Sequence, residues 1–273
     1  GLKMSELSKD QLDTICERQL FYLPYFRGML RAVEQSQYPQ ELLVEPILDI
    51  GAGDGHFTWA MLEGKIVDGI DPWLAPLKEA RIWKVYRSLS LANGQELPFA
   101  SGQFPTAISN SVLEHIPGVQ EVLNEVGRCL QAGGHFIFAV PNERFRTELW
   151  GMEVLRKVGL GFLAKPYSQF FNWVSRHVNL DAPEVWVERL RIAGFGEVKH
   201  WNYFPRKALH QLERGHAANL PNLLWKKLFG KWVLFKSRKN PFIHFDRIRR
   251  LVESPVDENG CCTFYVATKD FRA

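Results

Sequence analysis

The stretch Ile47-Leu48-Asp49-Ile50-Gly51-Ala52-Gly53-Asp54-Gly55 limits the folds open to this chain more than any other. A short apolar run carries a carboxylate near its end. Glycine then recurs at every second position, and His56-Phe57-Thr58-Trp59 opens a helical pattern. That order reads as strand, tight turn and helix N-terminus. Glycine permits the sharp turn and lets a ligand lie directly against the backbone. The helix that follows would present unpaired N–H groups at the same point. Open α/β sheets bind their ligands at such strand ends, so a parallel sheet with a site along its C-terminal edge is the first expectation.

Spacing separates the ligand classes. A dinucleotide fingerprint is G-x-G-x-x-G, whereas Gly51, Gly53 and Gly55 give G-x-G-x-G. A second strand over 66–71 ends in Asp71, about twenty residues beyond Asp49, where a βαβ unit sets its second strand tip beside the first turn. A carboxylate there can accept both hydroxyl hydrogens of a ribose, which points to an adenosine-bearing cofactor. Pro72-Trp73 would offer the adenine an apolar face. A third strand over 85–91 leads to Asn93-Gly94-Gln95-Glu96-Leu97-Pro98-Phe99. A fourth, over 106–110, runs into Ser111-Val112-Leu113-Glu114-His115-Ile116. A helix over 119–130, ended by Gly133-Gly134, feeds a fifth strand over 135–140 that meets Pro141-Asn142.

Taken together, D-I-G-A-G-D-G, the acid at Asp71, N-G-Q-E-L-P-F, V-L-E-H-I and the closing R-x-L-x-x-G-G, strand and P-N resemble the motifs of class I S-adenosylmethionine-dependent methyltransferases. They are similar to the type 11 group, which acts on small-molecule and lipid acceptors. The resemblance is close over 45–142 and looser over 181–204 and 261–269. It implies an α/β fold: a Rossmann-like, doubly wound, seven-stranded sheet of order 3-2-1-4-5-7-6, its last strand antiparallel, with helical cap insertions. It also implies the cofactor S-adenosylmethionine, S-adenosylhomocysteine as product, and methyl transfer to oxygen, nitrogen or carbon.

The cofactor residues it implies are Asp49, Gly51, Ala52, Gly53, Gly55, Asp71, Pro72, Asn93, Gly94, Gln95, Asn110 and Ser111. Asn93 departs from the family's usual Asp, although its carbonyl oxygen can still accept from an adenine amino group. Two histidines are candidates for proton removal. His177 occupies a position where related small-molecule methyltransferases often carry a substrate-side histidine, and His115 lies in the V-L-E-H-I loop. For each, a structural hydrogen bond within its loop is the alternative. No metal is required by this reading, and no metal-ligand cluster is visible in the sequence.

The same pattern divides the chain into an N-terminal helical cover (1–44), the cofactor-binding core (45–142), an aromatic lid insertion (143–180), the remainder of the core (181–204 and 261–273) and a basic amphipathic insertion (205–260). Ser8-x-x-Gln11 and Asp181-x-x-Glu184 read as capping boxes. The basic insertion dominates the charge. Between Arg206 and Arg250, twelve lysines and arginines stand against Glu213 and Asp246, although the whole chain carries only +4. Leu220, Leu223, Leu224, Trp225, Leu228, Phe229, Trp232, Val233 and Phe235 alternate there with lysines. Such a stripe suits a helix lying in a membrane interface, where polybasic flanks attract anionic lipid. A lid helix with solvated lysines is the alternative. The stripe is too apolar for a phosphate-tracking groove and no RNA-binding module is recognisable, so nucleic acid is not the expected partner.

The expected partners are therefore a small-molecule or lipid-like acceptor and an anionic membrane surface reached through 205–250. The four cysteines form no C-x-x-C pair, no secretory h-region opens the chain, and no apolar run approaches the roughly 18 residues of a membrane span. A cytoplasmic setting, with membrane association through the basic segment, is the expectation. Two rival functions remain at this level. One is an NAD-dependent oxidoreductase, disfavoured by the glycine spacing; the other is a membrane-recruited, non-catalytic module that keeps the cofactor fold.

Overall fold

The computed structural model describes residues 7–218, 226–227, 230–233 and 235–271. Seven strands form one sheet: β1 (Ile47–Ile50), β2 (Val67–Asp71), β3 (Tyr86–Leu91), β4 (Phe104–Asn110), β5 (Leu130–Pro141), β6 (Phe195–Tyr203) and β7 (Cys262–Lys269). The described helices, in chain order, are α1 (Lys9–Leu20), α2 (Tyr25–Gln35), α3 (His56–Leu62), α4 (Leu74–Ala80), α5 (Val119–Cys129), α6 (Glu143–Thr147), α7 (Trp150–Lys157), α8 (Ala164–Ser175), α9 (Pro183–Ile192), α10 (Arg206–Ala218) and α11 (Phe245–Glu253). The chain divides into two compact units. One comprises Pro39–Glu143, Trp173–Trp201 and the stretch from Cys262. The other comprises the residues up to Tyr38, Arg144–Asn172 and Asn202–Cys261.

In the first unit the strand order is β3-β2-β1-β4-β5-β7-β6, as the sequence motifs imply. The apolar runs of β1, β2 and β4 are buried nearly throughout, the pattern of parallel strands covered by helices on both faces. Ile50 pairs with Ile70, Asp49 with Ile108 and Asn110 with Ala139. The C-terminal ends of β1, β2 and β4 are thereby brought level, so the turns that follow them share one edge. Beneath that edge, Leu48, Ile50, Val122, Val126, Phe136 and Phe138 pack with Trp186 of α9. Tyr265 of β7 stacks on Phe138 with ring centroids 4.6 Å apart.

Several local expectations are corrected. β5 begins at Leu130, directly after α5, and runs through Gly133-Gly134 instead of starting beyond them. β7 runs antiparallel to β5 and lies between β5 and β6, both as the implied order has it. Asp181 does not cap α9. Proline opens that helix, the N-cap Ala182 makes no side-chain bond, and Asp181 Oδ2 instead accepts from Arg189 Nη1 at 2.8 Å. With Pro183 at the first helical position, one orphan donor is already missing.

The second unit is helical. Its α1 opens with the expected reciprocal capping box between Ser8 and Gln11, and Pro24 stands as N-cap of α2. Asp13 of α1 accepts from Arg249 of α11 at 2.6 Å and from Arg238 at 2.8 Å, and these two cations hold its carboxyl below the usual range although burial opposes them. In the expected amphipathic stripe, Leu220, Leu223, Leu224, Trp225, Leu228 and Phe229 lie outside the described residues. Residues 230–233 and 235–240 are irregular, not helical. Trp232 there sits under the Lys226 ammonium, 4.7 Å from the ring centre. Among the described residues, no helix is long and apolar enough to cross a membrane.

Candidate functional site

The turn after β1 owes its shape to three glycines with positive φ, Gly51 (79°), Gly53 (53°) and Gly55 (75°). The amides of Gly51 and Ala52 both donate to the Ile70 carbonyl, at 2.9 and 2.8 Å, and tie the turn to the end of β2. A Cβ on Gly51 would stand 2.5 Å from Val112 Cγ1, and one on Gly55 would stand 2.9 Å from Ala80 Cα. Packing therefore demands glycine at both places. Gly53 differs: a Cβ there would meet nothing nearer than the Gly51 carbonyl at 4.0 Å. Its backbone conformation needs glycine, yet the space beside it is open. That open face fits a cofactor laid against the turn.

Asp71 lies beside this face, 7 % exposed. Its Oδ2 accepts from the Gly53 amide at 3.0 Å and its Oδ1 from the Trp73 amide at 2.9 Å. The carboxylate thus braces the glycine turn, and each oxygen retains a second acceptor site that a ribose hydroxyl can use. Pro72 and Trp73 are both exposed next to it.

Asp49, expected among the cofactor contacts, has one carboxylate oxygen engaged within the protein. Its Oδ2 accepts from Thr58 Oγ1 and from the Tyr86 hydroxyl, each at 2.6 Å, and the residue is 4 % exposed. Burial pushes its pKa up to about 6. The two hydroxyl bonds pull against that rise and the neighbouring Asp71 charge adds to it. Burial, and then the Asp49 charge, push the Tyr86 phenol well above its ordinary range. Through these two bonds Asp49 ties β1, α3 and β3 together beneath the turn. Thr58 and Tyr86 complete this buried triad. Neither stands out in the sequence, because the hydroxyls meet the acid only once βαβ packing is formed.

The loop after β3 borders the same edge. Ala92 donates to the Asp71 carbonyl at 3.2 Å, and a turn closes from the Glu96 amide to the Asn93 carbonyl. Gly94 is buried against Val122, while Asn93 and Gln95 are exposed. The Gln95 amide lies over Gly118, where a Cβ would fall 2.2 Å from its Nε2. From below, Arg128 donates to the carbonyls of Phe99 and Leu97 at 2.8 and 3.1 Å, and Glu125 accepts from the Leu97 amide at 2.8 Å. Arg128, the arginine of the R-x-L segment, is therefore the clamp of this loop.

Asn110 ends β4 and Ser111 follows it, both half-buried. Ser111 has φ 52°, a left-handed conformation that costs a non-glycine residue about 1 kcal/mol and gathers at functional sites. Its amide donates to Ala139 at 2.9 Å.

His115 and His177 come together, although the sequence separates them widely. Their rings lie 5.3 Å apart at an interplanar angle of 27°. His115 Nδ1 stands 3.0 Å from the Arg176 carbonyl, an acceptor only, so Nδ1 carries the hydrogen. Nε2 then faces the buried Glu114 carboxylate at 3.6 Å. The two segments are latched by main-chain bonds: the Val178 and Asn179 amides donate to the Glu114 carbonyl at 2.7 and 3.0 Å. Asn179 Nδ2 adds bonds to Leu113 and Ile116 at 3.0 and 2.7 Å. One ligand atom from each of Glu114, His115 and His177 falls within 4.8 Å of the others, a set able to hold a metal ion. Its members are scattered along the sequence and meet only in the fold, so no such cluster is visible in the sequence itself.

Residues 48–138 match the family described as methyltransferase domain. The ubiquinone biosynthesis O-methyltransferase of Pectobacterium atrosepticum is 29% identical over 126 residues, covering 44% of this chain and 52% of that protein. The same-named enzyme of Vibrio atlanticus is 30% identical over 132 residues, covering 43% and 53%. The chain thus spans about half the length of the curated relatives it matches. Among solved structures, an S-adenosylmethionine-dependent methyltransferase of Thermotoga maritima, described as a possible histamine N-methyltransferase, superposes with TM-score 0.53 at 18% identity, over 89% of this chain and 92% of that one. Residues 48–138 are thus similar to a methyltransferase domain, and the strand order is the one the sequence motifs imply.

Proposed function

We propose that the chain transfers a methyl group from S-adenosylmethionine to a nucleophilic atom, most readily an oxygen, of a small-molecule acceptor. The observation that carries this reading is the open face of Gly53 beside the Asp71 carboxylate, on a sheet edge shared with Ser111. In this reading Gly51, Ala52, Gly53 and Gly55 form the floor of the cofactor site. Asp71 takes the ribose hydroxyls, with Pro72 beside the adenine. Asn93, Gly94 and Gln95 border the adenine edge. Asn110 and Ser111 meet the methionine portion, and Asp49 keeps the turn in shape from below.

The bound cofactor supplies an already activated methyl group, so the protein's contribution is alignment and exclusion of water. The acceptor atom forms its new bond to the methyl carbon as the sulfur–carbon bond breaks, and the acceptor's proton must leave. His115 is held ready to take that proton. Its Nδ1–H is tied to a carbonyl, and a proton arriving at Nε2 lands beside Glu114. His177 flanks it and would orient the acceptor. An oxygen acceptor accords with the names of the curated relatives.

Two measurements test this. Methyl-labelled S-adenosylmethionine, incubated with the protein and a lysate of the source cells, should pass label to a small molecule; solvent partition then sorts apolar from polar acceptors. Calorimetry with S-adenosylhomocysteine should show Asp71→Ala weakened at least about tenfold, the loss of hydrogen bonds to a charged group. His115→Ala should keep that affinity while losing transfer. Cofactor affinity unchanged in Asp71→Ala would remove its assigned role, and full transfer by His115→Ala would remove the proposed base.

A further inference from the structure

The helical unit carries a second, chemically distinct pocket. Met29 of α2, the start of α10 and the outer face of α11 enclose an open cavity of about 320 Å³. Its floor is apolar: Met29, Ala208 and Ile248 are buried, with Pro205 and Leu251 beside them. Its rim carries Lys207, Arg247 and Arg250, all exposed, and its lining includes no Asp or Glu.

The pairing of the neighbouring cations makes this rim unusual. Arg206 is bound to Glu153, while Arg249 is bound to Asp13 and Glu253. Among the described residues, the side chains of Lys207, Arg247 and Arg250 make no ion pair or hydrogen bond. Arg247 and Arg250 are three apart on α11 and so share one face, whereas Arg249 turns inward. Three cations converging without a carboxylate repel one another, and the arrangement is relieved by an anion seated among them. An apolar floor directly under that anion is poorly suited to a nucleic-acid strand, whose backbone needs cations in a line and bases on aromatic platforms. It suits a molecule that carries an anionic group joined to an apolar stem. Exposed Phe235 (74 %) and Phe242 (80 %) of the same unit are side chains of the kind that enter a membrane interface.

We propose that this pocket seats the phosphate headgroup of an anionic phospholipid in a membrane surface, with Lys207, Arg247 and Arg250 on the phosphate oxygens and the Met29–Ile248–Leu251 floor against the glycerol and first acyl carbons. Lipid binding here is independent of methyl transfer, so neither proposal depends on the other.

The test is co-sedimentation of the full chain with vesicles of phosphatidylcholine alone, and of phosphatidylcholine with about one quarter phosphatidylglycerol. Binding is expected only to the second. The triple variant Lys207→Gln, Arg247→Gln, Arg250→Gln should lose roughly hundredfold in affinity, since each basic residue at an anionic surface contributes several-fold. A charge-matched control, Lys227→Gln, Lys231→Gln, Lys239→Gln, removes three exposed cations of the same unit outside the pocket and should lose far less. A circular-dichroism melt establishes that both triples are folded, and the single variant Arg250→Gln, expected to lose several-fold, serves if the pocket triple is not. Equal losses in the two triples would overturn the pocket in favour of diffuse charge. Absence of binding to the anionic vesicles would overturn the proposal outright. Full release from the vesicles by millimolar inorganic phosphate at constant ionic strength would overturn the phospholipid in favour of a free phosphate.

Discussion

Asp49 shows what the glycine turn costs. Its carboxyl, buried between Thr58 and Tyr86, has a folded pKa of about 6 against an ordinary 3.8. The native state therefore holds a proton that the unfolded chain has already released between about pH 4 and pH 6. Stability from this group is present in full below the unfolded pKa and is lost as pH rises through the folded one, about 3 kcal/mol in all. Asp49→Asn keeps an oxygen to accept both hydroxyls and removes the charge. Its melting temperature relative to the parent should climb as pH rises from 4 to about 7 and then level off, apart from any fixed offset. A difference that does not vary with pH would mean that the Asp49 carboxyl titrates alike in the folded and the unfolded chain, so that burial does not raise its pKa. At this scale the sequence is legible where chemistry repeats at fixed spacing. Gly51, Gly53, Gly55 and Asp71 can all be read from position alone. Thr58, Tyr86, Arg128 and Asn179 cannot be given their roles that way, because each acts on a partner that only tertiary packing brings near. The same holds for His115 and His177, visible as residue types but not as a pair.

At the scale of elements, local signals are legible where the partners are neighbours in sequence. The capping box at Ser8 depends on residues three apart, and the strands of the parallel sheet announce themselves as apolar runs. Helix α7 is the contrary case. Its N-cap, Leu149, offers no side-chain bond, yet the first turn is capped by Glu213 of α10. That carboxylate accepts from the Trp150 amide at 2.5 Å, from the Gly151 amide at 2.9 Å and from the Tyr167 hydroxyl. A negative group at a helix N-terminus also meets the favourable end of the macrodipole. One side chain therefore joins α7, α8 and α10. Glu213→Ala leaves two amides and a phenol without their acceptor, and should cost about 2–4 kcal/mol. Tyr167→Phe, which removes one donor only, should cost about 1 kcal/mol. Denaturant unfolding of the two variants measures both, and a Glu213→Ala loss under about 0.5 kcal/mol would show that the cap is dispensable.

For the whole molecule, the sheet unit and the helical unit are each assembled from three separated stretches of chain. This is why a boundary drawn from composition alone misses them. Charge and aromatic content change along the sequence at places such as 143 and 205, whereas packing joins α1 and α2 to segments more than a hundred residues away, as Asp13 does with Arg238 and Arg249. The cofactor class is a property of the assembled sheet edge, and it is best tested on the complete chain. A ligand that binds only the folded state at a hundred times its dissociation constant adds about 2.7 kcal/mol of stability. For a protein of this length that shifts the melting temperature by about 5 °C. S-adenosylhomocysteine should produce such a shift, and NAD should produce none, because the G-x-G-x-G turn lacks the third glycine spacing that a pyrophosphate fingerprint uses. Asp71→Ala should cut the response to S-adenosylhomocysteine to about half or less at the same ligand concentration, while the protein still melts cooperatively. Stabilisation by NAD in place of S-adenosylhomocysteine would return the nicotinamide-dependent oxidoreductase to first place. Stabilisation by neither would mean that the open face of Gly53 is not a cofactor site, however well the sheet superposes on methyltransferases.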